Sequence, residues 1–215
     1  MNVGILLAAG RSSRFEESDK QLYEIKGKSV ISFSIDLLSS NLDKLIIVVN
    51  NNNCTKISNL FSHPKIVTVI NDIDARTKSI GAALDYISEH MKNVKNIIIH
   101  DGARPFITQN NINELLLASQ SYSYAQYFLS LVNGLAKRKG LGYEIVDRKE
   151  YIELCTPVMA DYGVYSRIFK YHIDKIESSV EAIPVLDLLG IPYKLIEGSH
   201  RCLRKITTIE DVHAT

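Results

Sequence analysis

Long apolar runs, clustered cysteines and a strong charge of either sign are all missing from this 215-residue chain. No stretch approaches the ~20 apolar residues of a membrane-spanning helix, and no charged leader with a cleavage site precedes the first apolar run. A cytoplasmic protein with no membrane partner is therefore expected. Cys54, Cys155 and Cys202 are scattered, and an odd number of thiols without metal-ligand spacing suggests neither a disulfide framework nor a zinc site. A net charge of +1 lacks the footprint of a nucleic-acid binder, so no nucleic-acid partner is expected and any phosphate site must be local. Neither Gly-x-Gly-x-x-Gly nor Gly-x-x-x-x-Gly-Lys-Ser/Thr occurs, which sets aside the two nucleotide loops tested first. There is no internal repeat and no linker rich in proline, glycine or serine, and this length fits one domain, 1–215, able to bury a proper core.

What is present is an alternation. Apolar runs at Val3–Ala9, Leu45–Asn50, Ile66–Ile70 and Asn96–His100 read as strands, and Ser29–Ser39, Ser79–His90 and Asn111–Ser119 read as helices. That order predicts an α/β fold, a Rossmann-like three-layer sandwich with a mostly parallel sheet. Ligands then bind at the carboxyl ends of the strands. Gly10 and Asp101 both directly follow strands, so two separate pieces of sequence point to one crevice. Asn50–Asn53 reads as a polar loop tip. Tyr127–Leu129 and Tyr143–Val146, around a Lys/Gly-rich turn at 137–142, read as a protruding β-hairpin arm at about 128–153. Since an isolated hairpin is marginal in water, the arm needs a partner surface, and a homodimer is expected; a hairpin folded onto its own domain is the alternative.

The first strand ends in Leu7-Ala8-Ala9-Gly10-Arg11-Ser12-Ser13-Arg14, with Asp19-Lys20-Gln21 behind. Gly10 lets the backbone turn close to a ligand. Ser12 and Ser13 offer hydroxyls and N–H groups, and Arg14 and Lys20 bring positive charge, a complement to a triphosphate. Each of these residues alone reads as an ordinary solvated loop residue, and His200-Arg201-Cys202-Leu203-Arg204 alone reads as a solvated basic face.

Together with Arg76 and Ser79, His100-Asp101-Gly102-Ala103-Arg104-Pro105, Thr156-Pro157 and Lys205-Ile206-Thr207, these residues resemble the IspD-like cytidylyltransferases, a family that includes methylerythritol-phosphate and ribitol-phosphate cytidylyltransferases. The resemblance covers almost the whole chain. It implies a CTP-dependent transfer of CMP to a phosphorylated small molecule, with release of pyrophosphate and Mg²⁺ or another divalent cation as cofactor. It implies Arg14, Lys20 and Lys205 as catalytic residues, and Ala8, Ala9, Gly10, Ser12, Ser13, Arg76, Ser79 and Asp101 as the nucleotide site. Asp101, Arg104 and Arg148 would bind the acceptor, Arg148 from the neighbouring subunit, and Asp101 would help to place the metal. The final helix is expected to amount to a turn.

The chain departs from the family pattern at the substrate-reading positions. A Gly-Gly segment that reads cytosine appears here as Asp72-Ile73, whose side chains would clash with the base or force another loop path. A Gln-Thr-Pro-Gln stretch has become Cys155-Thr156-Pro157-Val158, a Thr-Asp pair Val180-Glu181, and an arm Asp-Thr pair Asn133-Gly134. Losing hydroxyl-reading groups changes acceptor preference strongly, so an acceptor other than methylerythritol phosphate is expected: another polyol phosphate, or a phosphate or phosphonate carried as a CDP conjugate. Two other readings are a non-catalytic nucleotide-binding homologue and a sugar-phosphate nucleotidyltransferase using another nucleotide.

Overall fold

The first strand, β1 (Asn2–Leu7), is buried at Val3, Ile5 and Leu6 on alternating sides, as expected when both faces of a sheet are covered. In this computed structural model, which describes residues 1–15, 19–61, 63–179 and 181–213, the chain continues through a tight hairpin of β2 (Glu24–Ile25) and β3 (Lys28–Ser29). There follow α1 (Val30–Asn41), β4 (Lys44–Val49), α2 (Asn51–Leu60), β5 (Ile66–Ile70), α3 (Arg76–His90), β6 (Asn96–Asp101) and α4 (Gln109–Ala118). β7 (Tyr124–Ser130) leads into a second hairpin, β8 (Leu135–Lys139) with β9 (Gly142–Val146), and back to β10 (Ile152–Asp161). The last elements are α5 (Tyr162–Tyr171), α6 (Ile173–Ser179), α7 (Ile183–Leu188), β11 (Lys194–Glu197) and α8 (Ile209–His213).

The central sheet has the order β11-β7-β10-β6-β1-β4-β5. β10 runs antiparallel to β6 and β7, and the other pairings are parallel, which is the expected α/β architecture. β4 explains the two cores: Ile46 and Val48 pack into one cluster with Ile80 and Ile87 of α3, while Leu45, Ile47 and Val49 pack into the other with Ile31, Ile35 and Leu38 of α1. Each fully buried aliphatic side chain contributes about 1.5–3 kcal/mol of transfer free energy, so both helical layers are tightly fastened to the sheet. From β1 the chain moves outward to β4 and β5, then returns to the opposite side of β1 at β6. Ligand crevices in such sheets open at this reversal. Leu7 and Asp101 are register partners there, at the carboxyl ends of β1 and β6.

Some expectations need correction. The run Tyr127–Leu129 is not part of the arm; it lies in β7, paired with β10 in the central sheet, where Tyr127 and Leu129 are buried. Lys137–Lys139 is not the turn but part of strand β8, paired, among the described residues, with β9 alone. A ribbon exposed on both faces has no apolar face to supply, so charge does not exclude strand. The protruding hairpin is therefore shorter than 128–153. Asn50–Asn53 is not a loop tip: Asn50 caps α2 by accepting from the N–H groups of Asn52 and Asn53, and Asn53 is buried. The final helix is a single short turn, as expected, with Ala214 and Thr215 outside the described residues, as is Val180.

Candidate active site

The loop after β1 is fixed by asparagines as well as by the apolar packing of Ala8, Ala9 and Phe15. Asn53 Nδ2 donates to Ala8 O at 3.0 Å and to Asp19 Oδ2 at 2.7 Å, and Asn50 Nδ2 donates to Ala9 O at 3.0 Å. Asp19 in turn accepts from the Gln21 N–H at 3.0 Å, and the Lys20 N–H donates to Ser12 Oγ at 3.3 Å. The N-terminus of α2 thus sets where Lys20 leaves the backbone. Gly10 does not hold the fold: a Cβ there would meet nothing within 4 Å, so the space above it is open to a ligand.

Asp101 is the centre of the charge cluster. Lys205 Nζ donates to its Oδ2 at 2.9 Å, Arg104 Nε lies 3.5 Å from Oδ2, and Arg76 Nε lies 4.0 Å from Oδ1. Burial works against its charge, but Lys205, Arg76 and Arg104 outweigh it and hold the carboxyl well below the usual carboxylate range. The Asp101 N–H donates to Thr156 Oγ1 at 3.1 Å, which ties the site to β10. Lys20 faces the opposite balance: burial, then the neighbouring Lys205, push its pKa down. The Lys20 ammonium is thus short of negative charge, a condition an anionic ligand relieves. His100, fully buried, contacts Arg104 O through Nε2 at 3.0 Å. Burial pushes its pKa down to about 4, so it is neutral at pH 7 and Nε2–H is the donor.

Two cavities meet at this cluster. The smaller, about 180 Å³, is lined by Ala9, Gly10, Lys20, Arg76, Ser79 and Asp101, with Lys205 at its edge. The larger, about 1250 Å³, has Arg104 and Lys205 on its wall. Lys205 is common to both. Ala8 lies beneath the loop, buried, with its carbonyl engaged by Asn53. Ser12 turns its hydroxyl to Asp19 and Lys20, and Ser13 and Arg14 are exposed beside the smaller cavity without lining it. Arg148 lines neither cavity; it donates to Val132 O at the base of the hairpin.

A family model for 2-C-methyl-D-erythritol 4-phosphate cytidylyltransferase, IspD, matches residues 3–215. The chain belongs to the IspD family of nucleotidyltransferases. A relative of that name from Thermotoga neapolitana is 30% identical over 99% of this chain and 94% of its own length. Another, from Dictyoglomus thermophilum, is 29% identical over 98% and 93%. Among solved structures, 4-diphosphocytidyl-2C-methyl-D-erythritol synthase from Anaerococcus prevotii superposes with a TM-score of 0.82 at 17% identity, covering 100% of this chain and 95% of that one. IspD from Francisella tularensis gives 0.79 at 22%, covering 99% and 97%. At these identities the structures bear on the fold alone.

Within this IspD-family chain the departures from the family pattern resolve into geometry. Asp72 does not enter the smaller cavity: its carboxylate accepts from the Asn51 N–H at 2.8 Å and from the Asn51 side chain. Ile73 does stand on the cavity wall, beside Asp74 and Ala75. Glu181 accepts from Gln126 Nε2 at 3.1 Å, and Gln126 accepts from the Tyr124 hydroxyl at 2.7 Å. Burial raises the Glu181 pKa against the pull of Arg76. Sequence reasoning missed Gln126, whose place in a β-prone run looks like that of any polar strand residue. It named Gln21 beside Lys20 but gave it no role in the site. Gln21 lies on the smaller cavity, 3% exposed, and its Oε1 has no hydrogen-bond partner among the described residues.

Proposed function

We propose that this chain is a CTP-dependent cytidylyltransferase acting on a phosphorylated small molecule such as a polyol phosphate, the whole chain forming one nucleotidyltransferase domain. The observation that carries this reading is the position of Lys205 and Asp101 where the two cavities meet, with Lys20 and Arg76 on one side and Arg104 on the other. CTP occupies the side of Gly10, Lys20 and Ser79, and the acceptor phosphate the side of Arg104. A phosphate oxygen of the acceptor attacks the α-phosphorus; the new P–O bond forms as the α–β bridging bond breaks, and pyrophosphate leaves with that bond's electron pair. A phosphate dianion needs no general base, so the protein contributes positioning and charge stabilisation. Lys20 and Lys205 stabilise the charge that develops around the α-phosphoryl group, and removing one such donor typically costs ~10²–10³ in rate. Arg14, at the outer edge of the same loop, serves the leaving phosphates.

The residues present fit Mg²⁺. That ion usually takes one or two carboxylates plus substrate phosphates; Asp101 would supply one, and the Gln21 carboxamide oxygen, without a partner among the described residues, would be a second hard donor on the same wall. The cation supplies neutralisation of the triphosphate.

Methylerythritol phosphate is the acceptor in the relatives' names. Gly134 and Val158, which stand where the family pattern has polar groups, favour a different acceptor here. A homodimer is supported by the hairpin β8–β9, which among the described residues pairs only with itself and exposes Leu141, Tyr143 and Ile145. Arg148 at its base then completes the neighbour's acceptor side, in a cytoplasmic enzyme. The test is pyrophosphate release with Mg²⁺, each of four nucleoside triphosphates and a panel of acceptors. CTP-specific turnover with a phosphorylated acceptor is expected; turnover only with another nucleotide, or none while CTP binds, refutes the reading.

A further inference from the structure

The larger cavity has more positive charge than one phosphate requires. At its inner end Arg104 and Lys205 face Asp101, and under the reading above they take the acceptor phosphate. Beyond them the wall adds Lys26, Arg201 and Arg204, against Glu153 as the one acidic lining residue among the described residues. With Asp211 3.9 Å from Arg204, about one positive charge is left over among the described residues outside the phosphate position. Hydroxyl-reading groups are scarce there: Phe106, Leu129 and Leu203 are apolar, and Thr108 and Thr207 are the neutral hydroxyls.

These cations belong to a built wall. Leu203 and Ile206 are fully buried and pin the segment from both ends. Leu203 N and Cys202 N donate to Ser199 O at 3.0 and 3.1 Å, Ile206 N donates to Ala103 O at 2.8 Å, and Arg104 donates to Leu203 O. Gly198 lets Leu203 pack closely, since a Cβ there would lie 2.2 Å from Leu203 Cδ1. Arg204 and Lys205 lie between the anchors and Arg201 stands two residues ahead of Leu203, in the turn closed onto Ser199 O, and all three line the cavity. Lys26 reaches the same cavity from the β2–β3 turn, where it has φ +52° and Gly27 has φ +77°. A two-residue turn with both φ positive favours Asn-Gly, and a lysine in the left-handed region costs about 1 kcal/mol. The turn therefore holds a cation where its own geometry favours another residue.

We propose that the acceptor carries a second anionic group, a carboxylate or a second phosphate, which Arg201 and Lys26 hold while Arg104 and Lys205 hold the transferred-to phosphate. This rests on the cytidylyltransferase reading for the identity of the inner site, and names the substrate class: a phosphorylated acid or a bisphosphate rather than a neutral polyol monophosphate.

Calorimetric titration of the full-length protein tests it with paired probes at fixed ionic strength. One arm compares 3-phosphoglycerate with glycerol 3-phosphate, the other fructose 1,6-bisphosphate with fructose 6-phosphate, so carboxylate and phosphate are distinguished. At least one probe with two anionic groups should bind ten-fold or more tighter than its partner. K26A/R201A should bring that pair within about two-fold while leaving glycerol 3-phosphate affinity unchanged, and R201E should reverse the preference. Lys56→Ala, on α2 away from the cavity, should preserve it, which separates a site from general attraction. Equal affinities within both pairs, no binding of either two-anion probe at millimolar concentration, or a preference surviving in K26A/R201A would overturn the proposal. Pyrophosphate release is read separately: preference for the probe with two anionic groups without any CTP turnover leaves the subsite standing and sinks the reaction.

Discussion

Replacing Asp101 with asparagine should weaken the resting protein and tighten its grip on anions. The wild-type carboxylate is 13% exposed and has cations at 2.9, 3.5 and 4.0 Å. Asparagine keeps the volume but leaves those cations facing one another. Breaking a buried ion pair by removing one partner costs about 3–5 kcal/mol, but the partners differ in exposure. The Lys205 side chain is 40% exposed and well screened, whereas that of Arg104 is 8% exposed and cannot relax into water. An exposed pair contributes only ~0.2–1 kcal/mol, so most of the loss comes from Arg104 and Arg76, and about 2–4 kcal/mol is expected overall. For a chain of this size each kcal/mol shifts the thermal midpoint by roughly 2–4 °C, giving a fall of about 5–15 °C in chelator-containing buffer. Added pyrophosphate should return much of it, because the anion supplies the missing negative charge, and Asp101→Asn should bind pyrophosphate more tightly than wild type while losing turnover. A midpoint equal to wild type without anions, or no greater stabilisation by pyrophosphate than wild type shows, refutes the assignment of Asp101 as the internal counter-ion.

Further outcomes follow from neighbouring residues. His100 takes up a proton in the folded state only near pH 4, against about 6.5 when unfolded, so falling pH favours the unfolded chain and stability should drop by about 3 kcal/mol between pH 6.5 and 4 from this group; denaturant titrations of His100→Gln should give a shallower acid limb, and an unchanged slope would count against it. Gly10→Ala should leave the thermal midpoint unchanged or slightly raised, since its φ is not positive and no atom lies within 4 Å of the added Cβ, while raising the KM for CTP; an unaffected KM would remove Gly10 from the nucleotide site. Gly102→Ala places a Cβ 2.8 Å from Gln21 Oε1 and 3.1 Å from Leu7 O, so a loss of about 1–3 kcal/mol with lowered turnover is expected in denaturation and rate assays, and a fully stable, fully active variant would show that Gln21 is free to move.

The strands β1, β4, β5 and β6 were legible in the sequence as apolar runs, β4 and β6 being buried almost throughout, whereas β7, β10 and β11 were not read as strands of the sheet. The site was legible where chemistry and position coincide: Gly10 and Asp101 directly follow strands, and the structure brings Lys20, Arg76, Ser79, Asp101 and Lys205 to one cavity. What escaped was long-range polar pairing. Asn50 and Asn53 look like loop residues until the carbonyls of Ala8 and Ala9, more than forty positions earlier, are set beside them. The Tyr124–Gln126–Glu181 chain is equally invisible, because nothing local marks a glutamine as buried beneath a distant glutamate. The hairpin boundaries were displaced because Tyr127–Leu129 has the composition of an arm strand but the burial of a central one.

The near-neutral net charge leaves any phosphate site local, and the cations of the candidate site are balanced locally as well. Cations near a polyphosphate site repel one another in the absence of ligand, and the fold offsets this by placing Asp101 among Arg76, Arg104 and Lys205, with Glu181 beyond Arg76. Asp101 thus occupies electrostatically, at rest, the position that substrate phosphates fill. When anions arrive on both sides, Lys205 has three claimants instead of one, and its bond to Asp101 is the one that can lengthen without exposing a buried charge, since the lysine is the most exposed member of the cluster. Each anion bound then weakens the internal pair that competes with the next, so binding on the two sides should be mutually reinforcing despite the like charges of the ligands. Pyrophosphate affinity measured with and without glycerol 3-phosphate tests the sign: tighter binding in its presence supports the shared lysine as the coupling element, and mutual exclusion means that the two cavities accept only one anion between them.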